Sequence, residues 1–168
     1  MPFLITMLVV SLLTTFSDGL SQQNKKEKEK VSTLQFSTYI LFDGNGHEAM
    51  EFYHSVFGGE LTLTTVGESP MKTVFPASMH HKVVNARLKS KLLDISASDW
   101  LRPNETRIQG NAVCLYLSGG TPEEITTLFR KLSEGANVTD PLTEQPFGLY
   151  GALNDRFGVR WMFHAEKK

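Results

Sequence analysis

The side chains able to do chemistry are few and scattered along the 168 residues. His80 and His81 are adjacent. Neighbours on a strand point to opposite faces, so they would not grip one ion together. After Pro76-Ala77-Ser78 they read as exposed loop histidines at the rim of a site. His47 and His54 share a predicted helix and read as solvent-facing, and His164 lies where the C-terminus can fray. Asp94 and Asp99 flank a predicted strand, with nothing to make them converge as an acid–base pair. Cys114 is the single cysteine, which excludes an internal disulfide framework and a cysteine-cluster metal site. Set among apolar residues, it reads as an inert core thiol rather than a nucleophile. Asn104-Glu105-Thr106 and Asn137-Val138-Thr139 match glycosylation sequons, a frequent chance match.

The overall charge narrows the partners. Seventeen Lys and Arg against eighteen Asp and Glu give a net charge of -1. Nothing here tracks a phosphate backbone, so no nucleic-acid partner is expected.

The elements that must position these side chains occur twice. Gln35–Asp43 is apolar and strand-like, and Gly44-Asn45-Gly46 signals a turn. Ala49, Met50, Tyr53, Val56 and Phe57 have helical spacing, stopped by Gly58-Gly59. Strands are predicted at Glu60–Val66, Lys82–Lys89 and Leu92–Ser98. The pattern recurs with a strand at Asn111–Ser118 and a helix opened by Thr121-Pro122-Glu123-Glu124, where Thr121 and Glu124 can form a capping box. Strands at Asn137–Leu142, Leu149–Asn154 and Val159–His164 complete it. The prediction is an α+β fold of two βαβββ modules, residues 35–99 and 111–164, forming a cupped mixed sheet. Each module's sheet has one face under its helix and one bare face. Two bare faces curved around a shared cavity make a natural small-molecule site.

The N-terminus is read separately. Phe3–Phe16 is uncharged and apolar but short for a membrane span. It predicts a signal peptide over residues 1–21, cut near Ser21–Gln22, and hence a secreted or periplasmic protein. A misassigned start would leave the protein in the cytoplasm. Lys25–Lys30 (KKEKEK) marks a flexible charged linker over residues 22–33, ahead of a domain spanning 34–166 that needs no membrane.

Two stretches are familiar. Phe42-Asp43-Gly44-Asn45-Gly46-His47-Glu48-Ala49-Met50-Glu51-Phe52-Tyr53, followed by Val56-Phe57-Gly58-Gly59-Glu60-Leu61, resembles the start of PhnB-like proteins. Asp155-Arg156-Phe157-Gly158-Val159-Arg160-Trp161-Met162 resembles their end. These proteins belong to the vicinal oxygen chelate superfamily, with glyoxalase I, extradiol dioxygenases and bleomycin-resistance proteins. The resemblance covers roughly Gln35 to Phe163 and is specific for a family, not for a reaction. It implies a homodimer, often with modules exchanged between subunits. In the superfamily's metalloenzymes it implies a divalent metal held in the cup by His and Glu.

Residue by residue, the implied ligand positions fall on Thr38, Asn85 and Met162, and the fifth strand around Ala112 to Cys114 offers no His or Glu. Alcohol, amide and thioether groups are poor ligands for such a metal. No catalytic metal, other cofactor or catalytic residue is therefore expected. Strand alternation nominates Thr38, Phe42, Asn85, Arg87, Tyr116, Arg160 and Met162 as ligand-binding residues, with Ile40, Cys114 and His164 beside them. The same alternation puts Val84, Ala86 and Leu88 under the helix. An apolar wall with one or two arginines suits an anionic or aromatic organic ligand, although Arg87 and Arg160 fit surface salt bridges equally well. The leading expectation is a metal-free dimer that binds a small molecule. One alternative is a metal-dependent lyase, isomerase or dioxygenase using His80, His81 and His164. The other is a structural or interaction module.

Overall fold

The computed structural model describes residues 36–167. The predicted signal peptide and charged linker lie outside the described residues. The first module runs β1 (Thr38–Phe42), α1 (Gly46–Phe57), β2 (Glu60–Thr65), β3 (Val83–Lys89) and β4 (Asp94–Asp99). Three short 3-10 turns fill the connection between β2 and β3. The second runs β5 (Leu115–Ser118), α2 (Pro122–Leu132), β6 (Asn137–Gln145), β7 (Gly148–Asn154) and β8 (Arg160–Glu166).

Each module builds a four-stranded mixed sheet of the same topology, β1-β4-β3-β2 and β5-β8-β7-β6. In both, the first strand runs parallel to the last and the remaining pairs are antiparallel. The parallel pairing requires the helix as its crossover, which covers one face of the sheet. The sequence duplication is therefore a structural one, and the fold is α+β.

Local chemistry sets the helix ends. At α2 the Thr121 side chain accepts from the Glu124 N–H (3.2 Å), and the Glu124 carboxylate accepts from the Thr121 N–H (2.7 Å). Pro122 occupies the first turn, where its missing N–H costs nothing. At α1 the work is done from across the fold. Asp99 Oδ1 accepts from the N–H groups of Gly44 (3.0 Å) and Gly46 (2.9 Å), and Asp99 Oδ2 accepts from Val83 N–H (2.7 Å). A Cβ at position 46 would lie 2.9 Å from that carboxylate, so glycine is required there.

The two helices and the covered faces of both sheets share one apolar core. Met50, Tyr53 and Val56 of α1 meet Ala86, Leu88, Ile95 and Ala97 of the first sheet, and Leu132 meets Leu153, Trp161 and Phe163 of the second. Trp161 joins the modules: its ring lies 5.7 Å from Tyr53 and stacks 5.5 Å from Phe57, both on α1.

Several expectations change. β5 begins at Leu115 rather than Asn111, and β6 continues through Pro141 to Gln145. Proline is tolerated there because β6 is an edge strand whose register shifts across it, between Asp140 and Thr143. A bulge between Thr64 and Thr65 shifts β3, so Val83 rather than Val84 is fully buried. The most consequential correction is at β1. Thr38, Ile40 and Phe42 align with Ile95, Ala97 and Asp99 on the covered face, and Phe42 is 2% exposed. Thr38 and Phe42 therefore do not project from the open face. Tyr39 and Leu41 do, at 53% and 41% exposure.

Candidate ligand-binding surface

The open face of each sheet carries a different chemistry. On the first, cross-strand partners place Thr62, Arg87, Ser96 and Tyr39 in one row. Thr64 and Asn85 lead the next row, which ends with Ser98 and Leu41. Asn85 and Arg87 are exposed as alternation predicts. Arg87 is already engaged: its Nε and Nη2 donate to both oxygens of Asp94 at 2.8 and 2.6 Å. This is the salt-bridge alternative of the two readings for Arg87. The hydrogen bonds and charge of Arg87 hold the Asp94 carboxyl below its usual range, and Arg87 is raised in return. A carboxyl depressed on folding adds stability above its unfolded value, about pH 4, and loses it as pH falls through the lower folded value. The pair is exposed, so little is expected of it. Arg87→Ala should leave the urea midpoint at pH 7 unchanged within error, and a clear drop would show that the pair does more than decorate the face.

On the second sheet the open face holds a pocket of about 360 Å³ lined by Cys114, Tyr116, Phe147, Tyr150, Met162 and His164. Pairing accounts for the convergence: Tyr116 opposes Met162 across β5–β8, and His164 opposes Tyr150 across β8–β7. The rings of Tyr116 and His164 lie nearly parallel, 6.4 Å apart, and Phe147 tilts over His164 at 5.8 Å. His164 Nε2 is 3.3 Å from Phe147 O, so His164 is a fixed member of β8 and not a frayed end. Cys114 is half-buried and its Sγ–H donates to Met162 Sδ at 3.0 Å. It lines the pocket rather than the core.

Of the nominated residues, the structure thus brings Tyr116 and Met162 together. Asn85 and Arg87 stand on the open face of the first sheet, and Thr38, Phe42 and Arg160 line a separate crevice between the modules. The pocket takes no side chain from the first module. Phe147 and Tyr150 were not among the nominated residues, although Pro146-Phe147-Gly148-Leu149-Tyr150-Gly151 resembles the family's loop before the seventh strand. Phe147 sits on the two-residue turn Pro146-Phe147 joining β6 to β7, followed by Gly148 at φ 127°. Tyr150 was discoverable as the β7 neighbour of His164.

The positions implied for a metal do not assemble. Thr38 lies on the covered face of the first sheet, Asn85 on its open face, and Met162 on the second sheet. An alcohol, an amide and a thioether on separate surfaces do not fit a divalent metal. His80 Nε2 lies 3.1 Å from the backbone oxygens of both Lys72 and Phe75. Among the described residues, no group of three or more His, Cys, Asp or Glu side chains is placed to hold a metal ion. No helix among them is long and apolar enough to cross a membrane.

The two most buried carboxylates are structural. Asp99 anchors the β1–α1 turn as described. Asp155, 4% exposed, accepts from Tyr53 Oη (2.6 Å), Trp161 Nε1 (2.9 Å) and the N–H groups of Phe157 and Val159 (both 2.9 Å). The two sequence stretches that carry the resemblance therefore mainly build the frame, and Met162 alone of them lines the pocket.

Comparison with known proteins agrees with the geometry. The family model described as 3-demethylubiquinone-9 3-methyltransferase matches residues 34–163. The crystal structure of PA1353 from Pseudomonas aeruginosa is 33% identical, covering 81% of this chain and 100% of that one, with a TM-score of 0.71. The PhnB protein from Bacillus cereus is 28% identical over 79% of this chain and 99% of its own, with a TM-score of 0.65. A glyoxylase/bleomycin resistance protein/dioxygenase domain from Frankia shares the fold, with a TM-score of 0.56 at 17% identity over 82% of this chain and 95% of that one. A comparison with curated proteins gives no match. With a family model spanning both modules and the same fold in its structural relatives, this chain belongs to the PhnB-like 3-demethylubiquinone-9 3-methyltransferase family.

Proposed function

We propose that the protein is an exported, dimeric, metal-free binder of a small organic ligand, which it carries or sequesters rather than transforms. One observation carries this reading. The open face of the second sheet gathers three aromatic rings, an imidazole and two sulfur groups around a pocket of about 360 Å³, and no charged side chain lines it. Such a wall favours flat, apolar or aromatic matter through stacking and dispersion. Its imidazole and thiol are not hydrogen-bonded to each other or to the phenols: His164 Nε2 meets the Phe147 carbonyl and the Cys114 thiol meets Met162. The family's description names a reaction, but a shared fold does not transfer one.

The dimer is supported by apolar side chains left in water. Ile108 is 91% exposed and Val113 81%, close in sequence to β5 and beside the exposed Tyr39 and Leu41 around one crevice. A second copy packed over them would take that apolar surface out of water. Export is supported by the uncharged Phe3–Phe16 run; the N-terminal sequence of the protein recovered from its native host should begin near Gln22.

The ligand reading is tested with tag-free protein and a panel of aromatic compounds. A ligand that binds only the folded state stabilises it by about 2.7 kcal/mol at a hundred times its dissociation constant. At least one compound should raise the thermal midpoint, and Tyr116→Ala should weaken its binding by about tenfold. Metal analysis of the same sample should show no stoichiometric divalent ion. No stabilisation by any ring compound would favour the interaction-module alternative, and a stoichiometric ion needed for turnover would establish the metalloenzyme.

A further inference from the structure

The free edges of the two sheets flank a second cavity. β1 and β5 are end strands, each paired on one side only. Between them lies a crevice of about 300 Å³, closed by the linker Arg107–Gly110 and by the β7–β8 turn. Gln109 clips these together by donating from Nε2 to the carbonyl of Gly158. Two arginines line this crevice, Arg107 from the linker and Arg160 from the start of β8, and no Asp or Glu lines it.

Of the other four arginines, Arg87 pairs with Asp94, Arg102 with Glu105, and Arg156 with Glu48 and Glu134, while Arg130 stands exposed on α2. Arg107 and Arg160 have no carboxylate partner among the described residues. Arg107 donates only to Gln109, from Nη2 at 3.1 Å, and its Nε is buried without a partner. A buried, unpaired guanidinium N–H is unfavourable unless something accepts from it. Two guanidinium forks in one cavity match a group with several acceptor oxygens and negative charge.

We infer that this crevice is an anion site, in which Arg107 and Arg160 bind the oxygens of a carboxylate, phosphate or phosphonate group. The site is separate from the aromatic pocket, although Cys114 lines both, and it stands or falls without a ring-bearing ligand.

The test therefore uses ringless probes. Acetate, inorganic phosphate and methylphosphonate are titrated into the full-length protein at constant ionic strength, with calorimetry and the thermal midpoint as readouts. At least one should bind saturably, and the one that binds identifies the headgroup. Arg107→Gln and Arg160→Gln should each weaken binding by about tenfold or more, as expected for losing a charge-assisted hydrogen bond. Arg160→Lys should recover part of the affinity. Arg102→Gln, a change at a paired surface arginine, should match wild type. Should one variant fail to fold, the other and the lysine variant still decide. Absence of saturable binding by all three probes, or wild-type affinity in both glutamine variants, would overturn the assignment while leaving the aromatic pocket untouched.

Discussion

Replacing Asp155 by Ala is expected to cost the fold about 4 kcal/mol or more, measured as a fall in the urea midpoint. The carboxylate is 4% exposed and accepts four hydrogen bonds. Removing it strands the Tyr53 hydroxyl, the Trp161 indole N–H and two backbone N–H groups. These donors come from α1, β8 and the turn before β8, so the loss loosens one module against the other. Typical domains are stable by about 5–15 kcal/mol, so this variant should sit near the threshold of folding. A loss below about 1 kcal/mol would mean that water reaches and satisfies those donors. Tyr53→Phe gives a milder companion test with a pH signature. Burial first, and then the charge and hydrogen bond of Asp155, push the Tyr53 phenol far above its ordinary value. A group raised on folding contributes fully below its unfolded value, about 10 for tyrosine, and the contribution fades as pH rises above that. Wild type should therefore lose stability above about pH 10 more steeply than Tyr53→Phe.

Trp161→Ala should cost about 3–5 kcal/mol. The side chain is 1% exposed and touches Tyr53 and Phe57 across the module boundary. Its removal leaves a cavity where two modules meet, and neither can relax to fill it without moving a helix. Because Trp161 also donates to Asp155, the double variant should lose less than the sum of the singles, with a coupling of about 1 kcal/mol. Strict additivity would show that the indole N–H contributes nothing beyond its packing. A single-variant loss under about 2 kcal/mol would show that the boundary collapses readily.

These two residues lie in the stretch from Asp155 to Met162 that made the sequence recognisable, and their task is to hold the frame. Much of that frame was legible locally. Thr121, Pro122 and Glu124 announced the start of α2, and each acts on atoms a few residues away. Trp161 and Phe163 alternated with Met162 and His164, and β8 keeps that alternation. At β1 the same rule failed for a physical reason. Tyr39, Ile40, Leu41 and Phe42 are all apolar, so polarity does not say which face is covered. The packing of Phe42 against Tyr53 and Phe157 decides it. At β3 one bulge displaced Val84, and a bulge leaves no local trace in composition.

The candidate site was legible in part, Cys114 included. Tyr116, Met162 and His164 followed from strand period, whereas Phe147 reaches the pocket from a hairpin tip. Arg107 comes to its crevice from the linker between modules. Neither position follows from a period, because a turn and a linker have none.

What the chain's residue order settled by itself was the duplication, the helix ends, the turns at glycines and the family. All of these depend on interactions within a few residues or on a pattern repeated along the chain. Only the tertiary structure decided which face of β1 is covered, that Asp99 and Asp155 are anchors, that Arg87 is paired and that Arg107 and Arg160 share a cavity. Each of these depends on groups brought together by strand pairing or module packing, such as Tyr53 and Asp155, which lie 102 residues apart.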